Sequence, residues 1–338
     1  MKLFKKKRNP AAEVQIVSAQ RGVSALQTLP NAVEPFEKAL YDRLRFAVPV
    51  IDAALTKIIR LTGGFRVVCD DEDMQAELDS FLENVPVGLT GRSIGCFADN
   101  FLDSMLTYGS AVGEIAVDSV NQRIAGLWNA DVCAVRVGAG TAPFERKYTL
   151  ISPNGNSRTI PHPERIVYAE LTGGHSLLRG LPSLSGILLR IYQCIDQNYE
   201  RAGNVRYAVT YKPDSDLGDM MYTRERAQQI AREWADGMNS AKYGQVKDFI
   251  AVGDVDIKVI GADNQILDSE TPVRQILEQL VAKTGLPPFM LGLSWSSTER
   301  MSAQQADMLT SEITALRRTL EPVIERVCTL WLRMHGYG

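Results

Sequence analysis

The sequence predicts an α+β fold, and three observations lead to it. Apolar residues recur every three or four positions through several long stretches, as in helices with one buried face. Between Ile124 and Leu171 the pattern shortens to brief alternating runs divided by turn residues, as in strands. The tandem prolines Pro287 and Pro288 split the last quarter of the chain into a helix, a rigid break, a polar loop and one very long amphipathic helix. Neither proline has an N–H to donate, and each forces the residue before it into an extended conformation. At 338 residues and 45% hydrophobic, the chain can bury one large core or two smaller ones.

Taken in order, residues 1–35 read as a flexible arm. It is basic at Lys2, Lys5, Lys6, Lys7 and Arg8 and punctuated by Pro10, Pro30 and Pro35. The basic run fits either a solvated tail or a contact to nucleic acid or an acidic protein. A helix is expected from Phe36 to Leu61, interrupted near Pro49 and ended by Gly63 and Gly64. Phe65–Cys69 reads as a short strand, and Glu72–Asn84 as a helix with Met74, Leu78 and Leu82 on one face. A helix from Ser93 to Leu106 and a strand from Ser110 to Val117 follow. Short strands are then expected at Ile124–Trp128, Cys133–Val137, Lys147–Ile151 and Ile166–Leu171, and residues 36–180 form one α+β domain.

The middle of the chain has a different organisation. Gly180-Leu181-Pro182 stops the chain, and Ser183 is a candidate N-cap for a helix to Ala202, about 30 Å long at 1.5 Å per residue. A strand (Val205–Tyr211), a helix (Thr223–Met238) and two strands (Phe249–Val252, Val255–Ile260) come next. This β-α-β-β insert, residues 204–262, is bracketed by helices 184–203 and 272–284 and is expected to project on a two-helix stalk. The final helix, Ser302–Met334, repeats Leu309, Ile313, Leu316, Leu320, Val323, Val327 and Trp331 at helical spacing; Pro322 is expected to kink it.

Chemistry-bearing motifs are sparse. The five cysteines form no C-x-x-C pair, and the scattered, odd count fits reduced thiols of a cytoplasmic protein. No run of 18 apolar residues occurs, so no membrane span is expected. The net charge of −3 disfavours a simple nucleic-acid-binding surface. The sequence contains neither G-x-x-x-x-G-K-[ST] nor G-x-G-x-x-G, which disfavours a self-contained nucleotide enzyme. Asp70, Asp71, Glu72 and Asp73 could bind a hard cation, but they stand where a helix begins, and acids there cap free N–H groups. His162 sits between prolines with no nucleophile nearby in sequence, as a turn residue would.

The order helix, projecting insert, helix, proline-broken loop and long helix resembles the portal protein of tailed double-stranded DNA phages. The similarity is strongest to portals of long-tailed phages and gene transfer agents. Arg165-Ile166-Val167-Tyr168 through Leu178-Arg179-Gly180-Leu181-Pro182-Ser183-Leu184 resembles the family's strand followed by a Gly-Leu-Ser-Pro-Leu-like helix start, with Pro and Ser exchanged. Leu277–Gly292 resembles its helix ending in Val-Pro-Pro-x-x-Leu-Gly, with Leu286 in place of valine. Thr298 to Leu320-Glu321-Pro322 and onward resembles its long helix with an internal proline.

The resemblance implies a phage portal fold with wing, two-helix stem, β-α-β clip, long C-terminal helix and a short or absent crown. Residues 36–180 would be the wing, 181–203 and 263–285 the stem helices and 204–262 the clip. Residues 286–301 would be the tunnel loop, and 302–338 a long kinked helix returning to the wing and crown. It implies a channel for genome packaging and ejection at one capsid vertex, with no catalytic residues, cofactor or metal. Its partners would be eleven further copies, the large terminase subunit, the major capsid protein and scaffold, a head-tail adaptor and double-stranded DNA, in a virion assembled in a bacterial cytoplasm. DNA-facing candidates are Trp295, Ser296, Ser297, Glu299 and Arg300, with Trp295 equally suited to packing on a neighbouring subunit. Pro287 and Pro288 would stiffen the loop. Lys242, Tyr243 and Lys247 are candidates for terminase or adaptor binding, or else a solvated loop. Two other classes stay open: a metal-dependent nucleic-acid-processing enzyme using Asp70–Asp73, and a non-viral cytoplasmic scaffold.

Overall fold

A computed structural model describes residues 33–118, 120–140, 145–152, 154–203, 206–212, 224–225, 227–236, 254–260, 269–293 and 299–336. These fall into two compact units. One comprises residues up to Ile187 and from Arg274 onward, the other Leu188–Val273.

The first unit begins with α1 (Pro35–Ala47) and α2 (Pro49–Thr62), each opened by a proline in its first turn, where a missing N–H costs nothing. Next are α3 (Glu72–Asn84), the short strands β1 (Pro86–Val87) and β2 (Gly91–Arg92), and α4 (Ile94–Tyr108). Strands β3 (Ser110–Asp118), β4 (Arg123–Ala130), β5 (Val135–Ala139), β6 (Arg146–Ile151), β7 (Ser157–Thr159) and β8 (Ile166–Glu170) follow. One sheet has the order β2-β1-β4-β3-β8, antiparallel except for the β1/β4 pair. A second, three-stranded sheet is ordered β5-β6-β7.

Every residue of β3 is buried, because both faces of the first sheet are covered. Helix α4 packs on one face, placing Phe97 and Phe101 against the strands, and the Asn129 amide of β4 donates to the Phe97 carbonyl at 3.2 Å. The other face carries Val112, Ala130 and Ile166 into a core completed by Val135, Val137, Tyr148 and Leu150 of the second sheet. Strands pair in register, Val112 with both Ala130 and Tyr168, so alternate residues serve each core.

Helix α5 (Leu181–Gly203) starts in the first unit and ends in the second, and α6 (Glu270–Thr284) does the reverse. The second unit contains the antiparallel pair β9 (Arg206–Lys212) and β10 (Asp254–Ile260), matched from Arg206↔Ile260 to Lys212↔Asp254, and helical residues 227–236. Helix α7 (Glu299–Met334) returns to the first unit and runs 36 residues through Pro322. Pro322 and Arg318 lie on its exposed side, so water can reach the Arg318 carbonyl that the proline leaves without a donor.

Three expectations are corrected. The strand foreseen at Phe65–Cys69 is irregular, because the Gln75 side chain takes its hydrogen bonds: the Cys69 N–H donates to Oε1 at 2.6 Å, and Nε2 donates to the Val67 carbonyl at 3.1 Å. Ser183 is not an N-cap. The helix already begins at Leu181, and the Ser183 hydroxyl donates to the Gly180 carbonyl at 3.2 Å. The long helix starts at Glu299, three residues before Ser302. The foreseen strand Phe249–Val252 lies outside the described residues.

Candidate functional site

The break after α6 is a folded turn. Thr284, nearly buried, donates its hydroxyl to the Val281 carbonyl at 2.7 Å and accepts from the Leu286 N–H at 3.3 Å, which ends the helix. Leu286 and Pro287 are buried, and Pro287 is extended (φ −59°, ψ 135°). Pro288–Leu291 then make one 3-10 turn, with the Met290 N–H donating to the Pro287 carbonyl at 3.0 Å. Gly292 closes it at φ 76°, a left-handed conformation that suits glycine, and the Leu293 N–H reaches the Pro288 carbonyl at 3.1 Å. The turn rests on α2 and leaves the Phe289 ring 46% exposed.

Helix α7, which follows the polar loop, is fastened to the same body at three levels. Arg317 Nε donates to the Thr62 carbonyl at 2.7 Å, satisfying the C-terminal end of α2, where a cation also opposes the helix dipole. Arg326 Nη2 donates to the Pro163 carbonyl at 2.9 Å in the 3-10 turn before β8. Trp331, buried, stacks between Phe81 of α3 (5.6 Å) and His335 (4.0 Å). Ile313, Leu320, Val323, Ile324, Val327 and Cys328 are buried along the same helix. Elsewhere in this unit Arg45 joins three helices, bonding Asp52 of α2 (2.8 Å) and Asp103 and Thr107 of α4 (2.8 Å each).

Of the residues foreseen from sequence, Pro287 and Pro288 sit in the turn described above. Trp295, Ser296 and Ser297 lie outside the described residues, as do Lys242, Tyr243 and Lys247. Glu299 and Arg300 are the first two residues of α7. The anchors Arg45, Arg317 and Arg326 were not foreseen; their partners are carbonyls, acids and a hydroxyl up to 256 residues away, and no local pattern marks them.

The motifs weighed as chemistry have local structural roles. Asp71 is the N-cap of α3, its Oδ1 accepting from the N–H groups of Asp73 and Met74 at 3.0 Å each. His162 Nδ1 lies 2.9 Å from Glu164 Oε1 on the surface. Among the described residues no group of three His, Cys, Asp or Glu side chains is disposed to hold a metal ion, and no helix is long and apolar enough to cross a membrane. Burial, helped by Asp131, pushes the Cys133 thiol up to about 12; burial and Glu325 push Cys328 up to about 11. Both are held as neutral thiols rather than nucleophiles.

No family model matches the chain, and no curated protein matches it. Solved structures do. The chain is similar to one in the neck of the native gene transfer agent particle, computed with C12 symmetry, at TM-score 0.61 and 16% identity over 90% of this chain and 81% of that one. In the virion of the native gene transfer agent particle the match is TM-score 0.60 and 15% identity over 89% and 82%. An HK97 family phage portal protein from Corynebacterium diphtheriae aligns over 82% and 85% at 11% identity, but its TM-score of 0.42 adds no weight. What the first two share with this chain is architecture: its fold is like that of a chain in the gene transfer agent particle.

Proposed function

We propose that the chain is a portal, forming a ring at one capsid vertex through which double-stranded DNA is packaged and ejected. The observation that carries this reading is a fold shared over nine-tenths of the chain with a component of a C12-symmetric particle neck. In this assignment residues 36–180 are the wing, 181–203 and 263–285 the stem, 204–262 the clip and 286–301 the tunnel loop. A ring of identical chains needs a heterologous interface that closes, and long helices side by side offer one. Twelve copies at −3 each carry −36, and a channel lined mainly by negative and polar groups would let DNA slide rather than grip its phosphates.

The turn at Thr284–Leu293 supports the tunnel-loop assignment. It is held by hydrogen bonds and seated on α2, so the segment that follows it leaves from a fixed point. Trp295, Ser296, Ser297, Glu299 and Arg300 are assigned to face DNA. Lys242, Tyr243 and Lys247 of the clip are assigned to bind the large terminase subunit and the head-tail adaptor. The wing meets the capsid protein and scaffold, and the assembled ring is part of the virion.

Negative-stain microscopy and light scattering of the purified chain test this. Rings with a central hole and a mass near twelve chains of 37.4 kDa, about 450 kDa, are expected. A chain that stays monomeric under all assembly conditions, with or without scaffold and capsid protein, would refute the portal assignment. The enzyme reading makes an opposite prediction: magnesium- or manganese-dependent DNA cleavage lost in Asp70→Ala/Asp71→Ala. We expect no such cleavage, since Asp71 already serves as a helix cap.

A further inference from the structure

Helix α7 lies on its own unit through one face, on which Ile313, Leu320, Ile324, Val327 and Trp331 are buried. Each residue turns an α-helix by about 100°, which sets a flank on either side of that face. One flank carries Met301, Gln305, Met308 and Glu312, recurring every three or four positions as along a helix-packing seam. Met301 is 49% and Met308 70% exposed, so the seam stands open to water in the single chain. Gln305 Oε1 is nevertheless shut away from solvent and finds no donor among the described residues. A cavity of about 490 Å³ adjoins this flank, with apolar walls from Ile58, Leu106, Leu171, Leu309 and Leu316. The titratable side chains of its lining are Arg179, Lys283 and His175 against a single acid, Glu312. The other flank of α7 is polar: Asp307, Thr310, Thr314 and Glu321 are all exposed there, with Arg318 beside them, so two acids meet one cation.

We propose that the seam of Met301, Gln305 and Met308, with its adjoining cavity, receives a second copy of this chain, which lays the Asp307 and Glu321 flank of its own α7 against it. Three observations select that occupant. The two flanks stand on opposite sides of one helix, so a contact of one with the other is heterologous and can repeat around a closed ring. Their charges are complementary, Arg179 and Lys283 on the cavity side and Asp307 and Glu321 on the other. Methionines, unbranched and polarisable, fit the uneven surface of a neighbouring helix, and α7 has packing to gain on both flanks. Double-stranded DNA would meet the cations but leave Met301 and Met308 without an apolar partner. The inference rests on the portal reading for the ring, while the contact between two copies is read separately from ring formation.

The test uses the full-length chain with a benzophenone amino acid in place of Met308. Isotope-labelled and unlabelled copies are mixed, irradiated and mapped by mass spectrometry, and the same samples are imaged in negative stain. Links from position 308 to residues 307–321 of a differently labelled copy are expected. Asp307→Lys/Glu321→Lys should cut their yield about tenfold, since like charges then face Arg179 and Lys283. Adding Arg179→Glu/Lys283→Glu should restore the yield. All four side chains are exposed, so these variants keep the fold. Rings in which position 308 links only within its own chain, elsewhere on a second copy, or to added double-stranded DNA would overturn the interface and leave the portal reading standing. A charge reversal that the second pair fails to rescue would overturn it too. Linked copies without rings would keep the interface and refute the portal, and neither links nor rings would refute both.

Discussion

At the scale of single residues, stability in the first unit converges on a few charged or buried groups. Arg45 of α1 answers two aspartates and a threonine from two other helices, and its side chain is mostly buried. Replacing it leaves Asp103 and Asp52 without their cation, so Arg45→Ala is expected to cost about 2 kcal/mol, read from urea midpoints. The Cys133 and Cys328 thiols have a different consequence. Folding raises them from an ordinary value of 9.0 to about 12 and about 11, so the folded chain holds these protons more tightly. Their contribution is fully present below pH 9 and lost as pH rises through 11 to 12. Wild type should therefore lose more stability between pH 8 and 10.5 than Cys133→Ala/Cys328→Ala does, by the same urea measurement. Equal losses would show that neither thiol is held protonated by the fold.

At the scale of elements, capping and close approach decide where helices stop. Helix α4 ends at Gly109, whose φ of 90° is left-handed and whose added Cβ would meet the backbone of Gly174, His175 and Ser176 at 2.6 Å. Gly109→Ala therefore combines backbone strain with a clash against main chain that cannot swing aside, a loss of about 2–3 kcal/mol or more. Calorimetry that finds it neutral would mean the 172–176 turn is free to move. Asp71→Ala should remove one helix cap, about 1 kcal/mol, without altering assembly or any effect of added metal. The sequence exposed α3, α4 and the core face of α7 because each buries a single stripe at helical spacing. It misassigned 65–69, where a glutamine side chain satisfies the backbone in place of a strand partner.

For the whole molecule, the fold aligns with a particle neck component across almost its full length at 16% identity. Under the proposed portal reading, Trp295→Ala should leave ring assembly intact and lower DNA packaging in a reconstituted motor. Loss of rings instead would assign Trp295 to the neighbouring subunit. The order of elements was readable in advance, since prolines, glycines and helical spacing are local signals. The ties that hold the first unit together were not, because Arg317 meets Thr62 and Arg326 meets Pro163 only after distant segments are brought side by side.

Sequence alone determined the helices that flank the insert, the break at Pro287 and Pro288, the capping role of the Asp70–Asp73 run and the resemblance to portals. The first three follow from the steric and hydrogen-bonding rules of neighbouring residues; the last rests on likeness to a family's motifs. Tertiary structure decided that β3 is buried on both faces, that three arginines fasten helices to carbonyls and acids far along the chain, and that Arg179, Lys283 and Leu316 share one cavity. Such groupings depend on which surfaces exclude water together, and no local spacing encodes that.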